Sequence, residues 1–274
     1  MPFPDIDPIA FAVGPVAIRW YALAYLFGVL LGAAYGWLLL ANERLWYRGA
    51  PPFAAKDIWD FAFWAMLAIV IGGRAGYVLF YNLPYYLAEP AQIINTLDGG
   101  MSYHGGMVGL MLAAILFTRA KGGYWLSALD LLGAIATIGL MLGRIANFIN
   151  AELFGAPTDL LWGVIFPTDP LGVPRHPSQL YEAALEGLVL FLIIRIATHV
   201  FYALRKPGLV AGIFAISYAL ARILVEFVRL PDAQIGYLYG GWLTMGQLLS
   251  LPMLLIGLGL VLFALTRRDN PLRP

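Results

Sequence analysis

The sequence predicts an all-α, polytopic integral membrane protein with about seven transmembrane helices, its N-terminus outside and its C-terminus in the cytoplasm. Three observations predict it. Of 274 residues, 61% are hydrophobic and only 12% charged, with a mean hydropathy of +0.78; a soluble domain of this size needs far more surface charge. Apolar runs near the ~20 residues that cross a bilayer recur along the chain. Lysine and arginine are abundant in every second connecting loop and scarce in the others, the pattern that orients membrane helices.

The remaining composition excludes more than it assigns. A net charge of +1 gives no reason to expect nucleic acid as a partner. There is no cysteine, so no disulfide framework, thiolate metal site or thiol nucleophile is expected from this chain. The opening MPFPDIDPIAFAVGP has no Lys or Arg before Arg19 and is broken by prolines. It does not read as a signal peptide, and the first apolar run is expected to stay as a spanning helix. No internal repeat or low-complexity tract divides the chain, so 1–274 reads as a single transmembrane domain.

In order, the apolar runs predict helices near 18–41, 57–81, 102–119, 126–149, 177–203, 208–230 and 243–266. The first and last are clean, because Tyr21–Ala41 and Gln234–Thr266 carry no charge. The others are interrupted by charge, which leaves six spans plus one interfacial segment as the competing count. Loops after the first, third, fifth and seventh helices hold Arg44, Arg48, Lys56, Arg119, Lys121, Arg205, Lys206, Arg267, Arg268 and Arg273, whereas the N-terminal arm and other loops hold only Arg19 and Arg175. The basic side is cytoplasmic, so Asp5, Asp7, Glu89, Asp98, Asp159 and Asp169 fall outside.

This orientation gives each polar residue a depth. Tyr21, Arg74, His104, the group Arg144, Asn147 and Glu152, the group His176, Gln179 and Glu182, the group Arg222, Glu226 and Arg229, and Gln247 all fall at the outer level, one set from each helix. Ionisable groups at such depth are costly and usually face a partner or a cavity. Arg222, Glu226 and Arg229 form one helical stripe at i, i+4 and i+7, and Arg144 and Asn147 share a face at i, i+3. Two readings stand beside each other: structural ion pairs such as Arg222 with Glu226, or a cationic site for an anionic group such as phosphate. Gly72 and Gly76 read as helix-packing glycines. His176-Pro177-Ser178-Gln179 reads as a helix start, with an early proline and with His176 and Ser178 as polar residues to cap it. Asp130 reads as a charge at a helix N-terminus rather than a catalytic group, and His199 as interfacial. No metal-ligand spacing, P-loop, nucleophile elbow or dinucleotide glycine pattern occurs.

GRIANFINAELFG (143–155) resembles the signature of the prolipoprotein diacylglyceryl transferase family. IRWYAL (18–23), GGRAGYVLFYN (72–82), DGGMSYHGGMVG (98–109), RHPSQLYEA (175–183), RILVEFVRLPDAQ (222–234) and TMGQLLSLP (244–252) resemble further family blocks in the same order. The likeness spans nearly the whole chain, with Ala146 standing where glycine is commoner in the family.

The resemblance implies a bacterial inner-membrane enzyme. It would move the diacylglyceryl group of phosphatidylglycerol to the lipobox cysteine thiol of a prolipoprotein signal peptide, releasing glycerol phosphate. It implies no cofactor and no metal, a lipid bilayer as surroundings, and a monomer. Arg144 and Arg222 would stabilise charge on the leaving phosphate. His104 would be the general base, with Glu152 and Glu226 as alternatives. Tyr21 and Asn147 would position the headgroup. Arg74, Arg229, His176, Gln179 and Glu182 complete the expected phosphatidylglycerol-binding set. A transporter or binding protein for an anionic lipid is the rival reading, and it would need a polar route through the inner half, where Asp130 and Arg195 are the only in-span charges besides the marginal Glu186.

Overall fold

The computed structural model describes residues 1–95, 99–231 and 236–267. Asp98, Gln234, Arg268 and Arg273 lie outside the described residues, as do the ends of the 98–109 and 222–234 blocks.

Each predicted apolar run is a helix. They are α1 (Trp20–Ala41), α2 (Ile58–Phe80), α4 (Tyr103–Ala120), α5 (Trp125–Ile149), α8 (Leu209–Glu226) and α9 (Met245–Thr266), with a short α3 (Leu83–Ala88) between α2 and α4. The run expected at 177–203 is a continuous helical path in three parts: α6 (Ser178–Glu182), a π-helical segment (Ala183–Val189) and α7 (Leu190–His199). Among the described residues, five helices are long and apolar enough to cross a membrane: Trp20–Ala41, Ala55–Phe80, Trp125–Ile149, Leu209–Glu226 and Met245–Thr266. Their outward faces carry large exposed apolar side chains, such as Phe27, Leu31, Trp64, Ile71, Leu255 and Leu262, as a lipid-facing surface does.

α5 sits centrally, packed against α1, α4, α8 and the π segment. Asp130 on α5 is fully buried. It does serve a helix N-terminus, as expected, but that of α8 rather than its own. Its Oδ2 accepts from Gly208 N at 2.7 Å and its Oδ1 from Ala211 N at 2.8 Å, which satisfies amides that open α8 without a partner in the helix.

α2 and α4 meet along glycines. A Cβ on Gly72 would lie 2.4 Å from Gly105 O, and one on Gly76 would lie 2.9 Å from Gly105 Cα. Only hydrogen at these positions lets the two backbones approach this closely.

One end of the bundle carries the β structure. β1 (Ile9–Val13) and β2 (Val16–Arg19) form an antiparallel hairpin leading into α1. β3 (Val164–Ile165) and β4 (Pro174–Arg175) form a two-residue ribbon between α5 and α6. Ala151, Val164 and Phe166 bury a small core there with Phe3, Phe148 and Phe154. The Met1 amino group donates to Gly163 O, which ties the N-terminal arm to this lobe. Arg175 holds Asp169 through two bonds, Nε to Oδ2 at 2.8 Å and Nη2 to Oδ1 at 3.0 Å.

Candidate active site

At the β end, α5, α6, the π segment, α8 and the turn that follows α8 bring together three arginines and three glutamates. Glu182 is at the centre and fully buried. Its Oε1 accepts from Arg222 Nη1 at 2.9 Å and from Arg229 Nη1. Its Oε2 lies 2.8 Å from Arg144 Nε, an ion-pair contact off the hydrogen-bond axis. Glu226 Oε1 contacts Arg222 Nη2 and lies 3.3 Å from Arg229 Nε. Its Oε2 accepts from the Thr244 hydroxyl at 2.6 Å. Thr244 also caps α9, forming a capping box with Gln247. The Arg222–Glu226 pair expected from the i, i+4 spacing is therefore present, but as part of a network that ties α5, α6 and α8 to the start of α9.

The network does not use up the arginines. Among the described residues, Arg144 Nη1, Arg222 Nε and Arg229 Nη2 donate no hydrogen bond. The Arg144 and Arg222 side chains keep 21% and 17% of their surface exposed. Glu182 and Glu226 thus hold the guanidiniums in place while leaving donors open for another oxyanion.

The 143–155 segment leaves α5 through a strained turn. Ala151 and Leu153 both have positive φ, 53° and 58°, a conformation that costs a residue with a Cβ about 1–2 kcal/mol. Both flank Glu152. Three side chains hold the three carbonyls of this turn: Thr168 Oγ1 donates to Ala151 O, Gln179 Nε2 to Glu152 O at 2.6 Å, and Ser178 Oγ to Leu153 O at 3.1 Å. Gly155 then docks on backbone, with its N donating to His176 O at 2.8 Å. A Cβ there would lie 2.3 Å from Val228 O. The turn presents the Glu152 carboxylate, whose Oε1 accepts from Asn147 Nδ2 at 2.8 Å.

The expected site residues therefore separate into groups. Arg144, Arg222, Arg229, Glu182 and Glu226 form the network. Asn147 and Glu152 pair beside it. Tyr21 Oη accepts from Tyr25 Oη at 3.2 Å on α1, and Tyr25 is an electrostatic neighbour of both Arg144 and Glu152. His104 is exposed in the first turn of α4, edge-on to Tyr103; Tyr103 is an electrostatic neighbour of Arg144, but no contact joins His104 to the arginines among the described residues.

Three expected binding residues have other uses here. Arg74 donates to four backbone carbonyls, Ile93 O at 2.7 Å, Gly99 O at 2.8 Å, Gly100 O at 3.0 Å and Gln92 O at 2.6 Å. Its guanidinium also lies over the Tyr86 ring, so every nitrogen organises the loop between α2 and α4. Gln179 is fully buried under Glu152. His176 lies 3.3 Å by Nδ1 from Tyr181 Oη, which also accepts from Trp162 Nε1 at 2.7 Å; partial burial lowers its basicity. The helix start at His176-Pro177-Ser178-Gln179 is confirmed, but Ser178 does not cap it; its hydroxyl reaches back to the strained turn. Sequence reasoning passed over Thr244, and it counted Glu186 only as a marginal charge. The i, i+4 spacing of Glu182 and Glu186 was the available signal.

The family model for prolipoprotein diacylglyceryl transferase matches residues 8–263. The chain belongs to the prolipoprotein diacylglyceryl transferase family. It is 54% identical over 266 residues to the phosphatidylglycerol–prolipoprotein diacylglyceryl transferase of Agrobacterium fabrum, covering 96% of this chain and 94% of that one. It is 52% identical to the protein of the same name from Rhizobium leguminosarum over 96% and 94% of the two chains. Identity to the one from Brucella anthropi is 53%, over 93% and 91%. The prolipoprotein diacylglyceryl transferase match takes in every residue of the arginine–glutamate network and of the strained turn.

Proposed function

We propose that this chain transfers the diacylglyceryl group of phosphatidylglycerol to the lipobox cysteine thiol of a prolipoprotein. The single observation carrying this reading is the arginine network, in which Arg144, Arg222 and Arg229 are clamped by Glu182 and Glu226 yet each keeps a nitrogen without a hydrogen bond among the described residues. Such donors suit a phosphodiester whose charge grows as it leaves. Family membership and the names of the relatives support the same chemistry.

In the proposed reaction the substrate sulfur attacks the glyceryl carbon that bears the phosphate ester. The carbon–oxygen bond breaks, its electron pair stays on the phosphate, a thioether forms and glycerol phosphate departs. The thiol must lose its proton, because thiolate is the nucleophile. His104 is the proposed acceptor by residue type and exposure, with Glu152, presented on its strained turn, as the alternative; Glu226 is less suited because both its oxygens are engaged. Tyr21 and Asn147 are proposed to position the headgroup.

We further propose that seven helical segments span a bacterial inner membrane, with the β end and the network at the outer leaflet and one chain as the working unit. The asymmetry of Lys and Arg supports this orientation. Against a transport role stands Asp130, whose carboxylate is engaged by the start of α8 instead of lining a polar route.

The test is transfer from phosphatidylglycerol to a lipobox peptide in detergent. Arg144→Ala and Arg222→Ala are expected to remove at least ~100-fold of activity in proteins that still insert and purify. Near-wild-type rates in both would refute the assignment. Outside labelling of single cysteines introduced at positions 98 and 121 tests the orientation, which requires label at 98 and none at 121.

A further inference from the structure

Glu186 is an unusual carboxylate. It is fully buried in the π-helical segment Ala183–Val189. Neither of its oxygens accepts a hydrogen bond among the described residues. Its one ion-pair contact there is Arg144 Nη2, at 3.7 Å from Oε2. A purely structural buried carboxylate is normally saturated with donors, because an unsatisfied one is destabilising. Both Glu226 oxygens are engaged, and Glu182 accepts two hydrogen bonds at Oε1 with Arg144 Nε 2.8 Å from Oε2, whereas Glu186 accepts none among the described residues and has its nearest cation there at 3.7 Å. π segments of this kind are frequent where a functional geometry overrides regular packing.

The geometry of Arg144 gives Glu186 a task. Nε and Nη2 lie on the same edge of a guanidinium, so Glu182 at Nε and Glu186 at Nη2 face one edge in common. Two carboxylates along one edge fix the plane of the fork as well as its position. Nη1 and the far edge are then turned away from both. Glu182 cannot do this alone, since it is shared with Arg222 and Arg229, whereas Glu186 is dedicated to Arg144.

We propose that Glu186 is a positioning residue for the reaction: with Glu182 it sets the rotation of the Arg144 guanidinium so that the free edge meets the phosphate of the lipid donor. This rests on the reading of Arg144 as the phosphate ligand. Other charged or titratable groups near Glu186 are Glu182, Arg222 and Arg229, together with Tyr218 of α8. None of them is in hydrogen-bond contact with it among the described residues.

The experiment is a double-mutant cycle on purified enzyme, with phosphatidylglycerol and a lipobox peptide. Glu186→Gln keeps the volume and removes the charge. It is expected to lower kcat about tenfold with KM within about twofold, the signature of an interaction realised in the transition state. In an Arg144→Lys background, which has no fork to orient, the same substitution is expected to change kcat by less than about twofold. A full tenfold loss in both backgrounds would overturn the proposal, as would an unchanged kcat. Glu186→Gln leaves the Arg144 guanidinium paired with Glu182 at 2.8 Å, so no charge is stranded and the amide is not expected by itself to destabilise. A Glu186→Gln protein that fails to purify folded, or that melts several degrees lower, would therefore mark Glu186 as structural and also overturn it. A wild-type protein without transfer, or an Arg144→Ala variant with full transfer, would instead refute the underlying functional reading.

Discussion

Gln179 Nε2 donates to the backbone carbonyl of Glu152 at 2.6 Å, and this one bond joins two segments that read as separate in the sequence. Glu152 sits between two residues in the left-handed conformation, and the helix start at 176–179 supplies the side chains that hold it there. The strain is thus maintained from α6, the element that also carries Glu182.

Removing that support has a defined consequence. Gln179→Ala leaves the Glu152 carbonyl without its buried donor, which is expected to destabilise by about 1–3 kcal/mol. The loosened turn also releases the Glu152 carboxylate from Asn147, so transfer is expected to fall about tenfold or more. Ala151→Gly relieves left-handed strain at the same turn by up to about 1 kcal/mol. Combining it with Gln179→Ala is expected to recover part of the lost melting temperature. Melting curves in detergent check both, and a double variant no more stable than Gln179→Ala alone would separate the strain from the bond.

Asp130 makes a prediction that concerns stability and not activity. Its two oxygens serve Gly208 N and Ala211 N, so Asp130→Ala strands two amides at the start of α8. A loss of about 2–3 kcal/mol is expected. Asp130→Asn keeps one acceptor and is expected to lose about half as much. Turnover per folded molecule should stay near wild type in both. A large fall in kcat with unchanged melting would instead give Asp130 a part in the chemistry.

Arg74 tests the separation of network from scaffold. All its nitrogens serve the carbonyls of Gln92, Ile93, Gly99 and Gly100. Arg74→Lys loses the fork and most of these bonds. It is expected to lower melting temperature and to reduce transfer only in proportion to protein lost. If Arg74→Lys folds as well as wild type yet raises KM for phosphatidylglycerol about tenfold, Arg74 contacts the lipid after all.

What was legible in the sequence follows from which forces leave a linear trace. Hydropathy reports burial in lipid directly, so the helical runs read correctly to within a few residues, apart from early ends at His199 and Glu226. The arginine and glutamate stripes were legible because a charge in an apolar run stands out and helical spacing gives its face. Arg74 gave the same signal as Arg144, yet its partners are backbone carbonyls, which have no residue identity to read. Asp130 showed its type of role but not its partner helix, because Gly208 lies 78 positions further on. Ser178 and Gln179 looked like cap and headgroup donors, since nothing local announces that Ala151 and Leu153 adopt positive φ. Glu186 was read as a marginal charge, although its i, i+4 spacing from Glu182 put both on one helix face; the arginine they share lies on another helix and left no trace in that spacing.

The pair Asp169 and Arg175 ties acid stability to the lobe that buttresses the strained turn. The Arg175 guanidinium, bonded to both carboxylate oxygens, holds the Asp169 carboxyl below its ordinary range. Because the folded value is depressed, the stabilisation is present above the unfolded aspartate value near 3.9 and is lost as pH falls through the lower folded value. Wild type is therefore expected to melt higher than Asp169→Asn at pH 7, with a constant gap down to about pH 5. Below about pH 4 the gap should narrow, and the two curves should converge as Asp169 protonates. Thr168, next to Asp169, holds the Ala151 carbonyl, so the variant is also expected to lose some transfer activity at neutral pH. Melting curves of both proteins between pH 7 and 3 decide it; a gap that widens on acidification would mean that the arginine does not hold this carboxylate in its charged form.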